Sequence, residues 1–171
     1  MTKTLIVYFS HVGENYVSGN IIDLKIGNTE VIAKEIQSLT DGDLFKIEPL
    51  HPYPYKYHEC TDIAKKELNH NERPKITNVL NHIQDYENIY LGYPSWWGTM
   101  PMCVWTFLEE YDLTDKNIYP FCTHEGSQMG KSVEDIKKLC PQSHIKKSFA
   151  IYGSQVHRAQ EQVKNWIKEN I

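Results

Sequence analysis

Cysteine is scarce: Cys60, Cys103, Cys122 and Cys140 are the only four, and no pair forms Cys-x-x-Cys. This excludes a zinc knot and a thioredoxin-type dithiol, and it points to reduced, mostly buried thiols in a cytoplasmic protein. A basic surplus is also missing, since 18 Lys and Arg stand against 22 Asp and Glu, for a net charge of -4. Nucleic acids and anionic membrane surfaces are bound through positive excess, so neither is an expected partner. Long hydrophobic runs are absent. The longest near the start, Leu5–Phe9, is too short for a signal-sequence core or a spanning helix. Gly-x-Gly occurs nowhere, which removes the dinucleotide fingerprint. What is present is 40% hydrophobic and 23% charged residues over 171 positions, a globular composition of one-domain length spanning 1–171. Eleven tyrosines raise the aromatic share to 12%, enough to ask whether some stack on a ligand.

Strand and helix patterns alternate from end to end. Thr4–Phe9, Leu44–Ile47, Asn88–Tyr93, Asn117–Thr123 and Lys147–Tyr152 are short β-branched and aromatic runs that read as strands. Between them apolar residues recur every three or four positions: Ile32, Ile36 and Leu39; Val104, Phe107, Leu108 and Tyr111; Val133, Ile136, Leu139 and Cys140; and Val156, Ala159, Val163, Trp166 and Ile167. Each stripe gives a helix one apolar face. Five strands with intervening helices predict an α/β fold, an open parallel sheet doubly wound into three layers. Two stretches are long for connections: Gly13 to Ile26, and Pro49 to Pro74 with a possible helix over Thr61–Asn69. Long loops in compact domains are commonly functional.

Ligands of such sheets bind beyond the strand carboxyl ends. After the first strand come Ser10, His11, Val12 and Asn15, and then Gly27-Asn28-Thr29 opens a helix. Hydroxyls and a fresh helix N-terminus suit a phosphate, although Asn28 or Thr29 could simply cap the helix. After the third strand comes Pro94-Ser95-Trp96-Trp97-Gly98. Neighbouring side chains diverge, so one tryptophan can enter the core while the other stacks on a planar heterocycle. Trp96, nearer the strand end, is the expected ring contact. After the fourth strand, Thr123, His124, Gly126 and Ser127 lead into Gly130-Lys131-Ser132. A nucleotide P-loop needs four residues between its glycines, and three separate Gly126 from Gly130, so ATP and GTP are not expected.

Those segments, TLIVYFS at 4–10, GNTEVIAKEI at 27–36, YPSWWGTMP at 93–101 and THEGSQMGKS at 123–132, resemble the flavodoxin family. The resemblance covers essentially the whole chain, with Ser10 and Gly27 split by an inserted segment. It implies a flavodoxin-like sheet of order 2-1-3-4-5 and non-covalent FMN. Ser10, Asn28 and Thr29 would meet the phosphate, Pro94 to Gly98 the isoalloxazine, and Thr123 to Ser127 its other flank. Backbone at Trp97–Gly98 would contact the reactive ring nitrogen.

With FMN bound, the expected chemistry is electron transfer through the flavin. The donor or acceptor would be a redox partner protein or a small molecule, and the alternative is an NAD(P)H-dependent FMN reductase of a quinone-type acceptor. A signalling receiver would need acidic residues after the first strand and an Asp after the third, where Tyr8-Phe9-Ser10 and Tyr93-Pro94-Ser95 stand instead. A low-molecular-weight phosphatase would need Arg six positions after a Cys, and none occurs. An FMN-free interaction module is the remaining alternative.

Overall fold

The protein is described here, over residues 2–171, by a computed structural model. Its first strand, β1 (Lys3–Tyr8), is followed by a short pair, β2 (Gly13–Val17) and β3 (Asn20–Leu24), and then by α1 (Asn28–Thr40) and β4 (Asp43–Lys46). α2 (Tyr57–Asn69), β5 (Tyr86–Pro94), α3 (Met102–Glu110), β6 (Asn117–His124) and α4 (Ser132–Leu139) come next. β7 (His144–Ile145), β8 (Phe149–Tyr152) and α5 (Gln160–Glu169) end the chain.

The main sheet is parallel and runs β4-β1-β5-β6, with β7 and β8 sharing the position beyond β6. Its five positions therefore follow the order 2-1-3-4-5, and the sheet differs from expectation in having six strands. The run read as a strand, Lys147–Tyr152, starts only at Phe149, and a short strand not expected from the sequence, β7, pairs ahead of it with Asn117 and Ile118. At the break, the carbonyl of Lys147 accepts the indole N–H of Trp166 at 2.8 Å, so an α5 side chain holds it.

Alternation along the strands splits the core in two. Leu5, Val7, Ile89, Leu91, Ile118 and Cys122 face one layer with Val104 and Phe107 of α3 and Ile136 of α4. Ile6, Tyr8, Tyr90, Tyr119 and Phe121 face the other, against Ile32 and Ile36 of α1 and Val163 and Trp166 of α5. Strands buried on both faces carry continuous apolar runs, as β1 does. Gly92 belongs to this packing: a Cβ there would stand 2.1 Å from the Phe121 ring.

The long segment after β1 is a hairpin rather than a loop. β2 and β3 pair antiparallel from Gly13↔Leu24 to Val17↔Asn20. Ser18 and Gly19 turn between them with φ of 51° and 83°, the doubly positive geometry that matches strand twist in a two-residue turn. The second long segment contains α2, which begins four residues before the expected Thr61. Among the described residues, no helix is long and apolar enough to cross a membrane.

Candidate functional site

The carboxyl ends of β1, β5 and β6 meet the N-terminus of α1. The first amides of an α-helix have no intrahelical acceptor. Ser10 takes one of them, its Oγ accepting the Glu30 N–H at 3.1 Å. Gly27 lies so close to this segment that a Cβ would stand 2.1 Å from Ser10 Oγ. The buried hydroxyls of Thr29 and Thr123 bond each other at 2.8 Å, tying α1 to the end of β6. His11 Nε2–H donates to the Pro54 carbonyl at 2.8 Å, and Asn15 Nδ2 donates back to the carbonyls of His11 and Gly13.

The two tryptophans sit on a tight turn closed by bonds between Trp96 and Thr99. Trp97 and Gly98 occupy it with φ of 55° and 81°. Left-handed backbone is unusual for a bulky side chain and marks a position worth a functional explanation. The turn throws the indoles apart. Trp96 lies edge-on to Phe9, His11 and Tyr53, with ring centroids 5.3, 5.8 and 4.8 Å away. Trp97 is 51% exposed. Its Nε1–H donates to the Thr61 carbonyl at 3.0 Å, and Lys65 Nζ lies 4.9 Å from the ring centroid. The expected order is thus reversed in burial: Trp96 packs toward the core and Trp97 is the freer ring.

The segment after β6 rests on this turn. Lys131 N–H donates to the Gly98 carbonyl at 2.7 Å, and Gly130 approaches so closely that a Cβ would meet that oxygen at 2.2 Å. The Ser127 and Ser95 hydroxyls bond at 2.7 Å. His124 is buried, and its Nδ1 accepts the Gly126 N–H at 2.9 Å, which leaves the proton on Nε2 in the neutral ring. That Nε2 has no partner, and burial lowers the imidazole's pKa, so the ring favours its uncharged form. Glu125 accepts the Ser18 N–H on one carboxylate oxygen, while the other is buried without a donor.

These elements enclose a cavity of about 560 Å³. His11, Asn15, Asn28, Thr29, Pro94 and Ser95 line it, and so do Trp96, Trp97, Thr123, His124, Gly126 and Ser127. Three predicted residues do not. Ser10 is turned to the helix cap, Val12 is 44% exposed at the hairpin base, and Gly98 serves the turn beneath Trp97. Glu125, inside the expected Thr123 to Ser127 flank, also lines the cavity, whereas reasoning from the sequence missed Glu14 and Tyr16 on the hairpin, Tyr57, His58, Cys60, Thr61 and Ala64 on α2, and Gly153. The Ser18-Gly19 dipeptide was a readable turn signal for the hairpin. Nothing local marks α2 as a wall, because its placement depends on contacts such as the Trp97–Thr61 bond.

A family model described as Flavodoxin matches residues 3–170. The chain belongs to the flavodoxin family. No curated protein matches it. Among solved structures it is similar to a candidate flavoprotein from Bacteroides eggerthii DSM 20697, at 26% identity and TM-score 0.80, covering 99% of this chain and 98% of that one. One from Bacteroides uniformis ATCC 8492 is also 26% identical, with TM-score 0.77 and 98% of both chains covered. A flavoprotein from Lactobacillus acidophilus NCFM, solved in complex with FMN, is 20% identical with TM-score 0.69, covering 92% and 98%. At that identity the last likeness speaks for the flavodoxin fold.

All four cysteines are free and buried. Burial pushes the thiols of Cys60 and Cys122 up to about 12 and that of Cys140 to about 11, which suppresses thiolate chemistry. The cavity of this flavodoxin-family chain therefore offers a helix N-terminus, hydroxyls, a neutral imidazole and indole faces, but no activated nucleophile.

Proposed function

We propose that the chain binds one FMN non-covalently in this cavity and acts as a redox protein through it. The observation that carries the reading is the pairing, in one cavity, of the α1 N-terminus with an exposed indole on a strained turn. No Lys or Arg lines the cavity. A phosphate would accordingly be held by the amides at Asn28 and Thr29 and the positive end of the helix dipole, the usual resource of an anion site built on a helix terminus. The Trp97 ring supplies a face for a planar heterocycle. The buried Nε2–H of His124, which has no partner in the protein, would be a hydrogen-bond donor for a ring carbonyl or nitrogen. FMN bound there supplies one- or two-electron transfer. The chain's own part is to position the ring, limit water and hold neutral donors beside it. The FMN complex of the Lactobacillus acidophilus flavoprotein is consistent with this choice of cofactor.

The purified protein is expected to be yellow, with one FMN released per chain on heating. Release of FAD instead, or failure to take up flavin on reconstitution with FMN, overturns the reading. A second reading is favoured by the α2 wall, where Tyr57, His58 and the hairpin's Tyr16 flank the cavity and could receive a second planar ring. On it, the protein is an NAD(P)H-dependent FMN reductase with a small quinone-type acceptor. Stopped-flow mixing with NADH and NADPH separates the two: rapid bleaching of the flavin supports the reductase, and bleaching too slow for turnover supports a carrier that docks to a redox protein.

A further inference from the structure

Glu125 uses only half of its carboxylate. Oε2 accepts the Ser18 N–H at 3.0 Å, fastening the hairpin's turn to the end of β6. Oε1 is buried and has no donor. Room for it exists because residue 153 is glycine: a Cβ there would stand 2.6 Å from Glu125 Oε1 and 2.5 Å from Asn28 Nδ2. The free oxygen therefore shares a cradle with the first residue of α1, and Glu125, Asn28 and Gly153 all line the cavity. Leaving a buried acceptor unmade is costly, so the cradle is suited to an occupant that completes it.

The chemistry of a carboxylate restricts that occupant. An ionised carboxylate only accepts, which rules out the oxygens of an ionised phosphate and calls for a hydroxyl or N–H. In oxidised FMN the donors are the ribityl hydroxyls and the ring N3–H. Were the phosphate held at the α1 N-terminus, the donor-bearing segment bonded to it would be the ribityl chain, and Asn28 of that terminus borders the cradle. We infer that Glu125 is a specificity-determining residue, its Oε1 accepting a ribityl hydroxyl while its Oε2 keeps the hairpin turn. This rests on the FMN reading above. A carboxylate held at one oxygen has already lost its rotation when the other bond forms. Occupancy of the cavity and closure of the hairpin therefore strengthen each other, as linkage requires.

The test compares three flavins by fluorescence titration of the apo-protein: FMN, riboflavin, and lumiflavin, which carries a methyl group in place of ribityl. Glu125→Ala is expected to weaken FMN and riboflavin by a similar factor, roughly 10- to 100-fold for a bond to a charged group. Lumiflavin affinity should stay within about twofold, that is, below the loss of even one ordinary hydrogen bond. Glu125→Gln keeps one carbonyl acceptor and should recover part of the loss. Amide exchange at Ser18 and Gly19, read in parallel, should slow on FMN binding in the wild type and respond little in Glu125→Ala. Equal losses for all three flavins, or unchanged affinity for FMN and riboflavin, overturn the assignment while the cofactor reading stands. A wild-type protein that binds none of the three overturns both.

Discussion

Trp97 holds left-handed backbone at φ 55° and still exposes half of its surface, whereas Trp96 packs edge-on among three rings. The two indoles should therefore fail differently. Trp96→Ala removes aromatic packing beside the core and should cost about 3 kcal/mol of apo-protein stability in denaturant melts. Trp97→Ala should barely alter stability yet weaken FMN by about 0.5–1.5 kcal/mol beyond the area lost. If Trp97→Ala binds FMN as wild type does, the exposed indole does not face the flavin. His124 adds a pH signature. Burial lowers its pKa below the ordinary 6.5, so the unfolded chain takes up a proton more readily than the folded one. Stability is then complete above about pH 6.5 and falls as pH drops toward the folded pKa. Protonating Nδ1 also breaks the bond from the Gly126 N–H. Denaturant midpoints measured from pH 7.5 to 5.5 should decline more steeply for wild type than for His124→Gln, and parallel curves would remove His124 from the account.

The hairpin is the element that separates this chain from a plain reading of its strands. Its base is held where Glu14 accepts the Tyr57 N–H at 2.9 Å and pairs with Lys56 at 3.1 Å, and its tip by Glu125. The Tyr57 amide, followed by the Lys56 ammonium, holds the Glu14 carboxyl below the usual 4.5. Its contribution is present above that value and is lost as pH falls through the lower, folded pKa. Glu14→Gln at neutral pH should mimic the acid form, speeding amide exchange over Gly13–Val17 while the main sheet stays protected. Wild-type exchange rates in that variant would mean that the Glu14 N–H bond to the Tyr55 carbonyl suffices. The main strands were legible because residues buried on both faces read as unbroken apolar runs, Leu5 to Tyr8 above all. The hairpin was not, since Tyr16, Ile21 and Ile22 are all exposed and β3 has no buried face to impose alternation. The three loops at the strand ends could be read because topology alone brings them together. Gly153 could not, nor could the contacts of Glu125 within its expected loop, because they arise only when the end of β6 meets the hairpin, α1 and the turn after β8.

For the whole molecule, the proposed cofactor would touch five separate parts of the cavity wall: the α1 N-terminus, the β5 turn, the segment after β6, the hairpin and α2. A ligand that binds only this folded assembly stabilises all of it by mass action. At 100 times Kd the gain is about 2.7 kcal/mol, and each further tenfold adds about 1.4 kcal/mol. For a chain of this length, 1 kcal/mol moves Tm by roughly 2–4 °C, so FMN at 100 times Kd should raise it by about 5–11 °C. The rise should continue with the logarithm of FMN concentration and not level off at saturation. Riboflavin at the same concentration should give a smaller shift, because it lacks the phosphate that the α1 N-terminus would hold. Calorimetric scans with both flavins check this directly. Equal shifts for FMN and riboflavin would remove the phosphate from the helix terminus. A shift that stops at one equivalent of FMN would mean that the flavin also binds the unfolded chain.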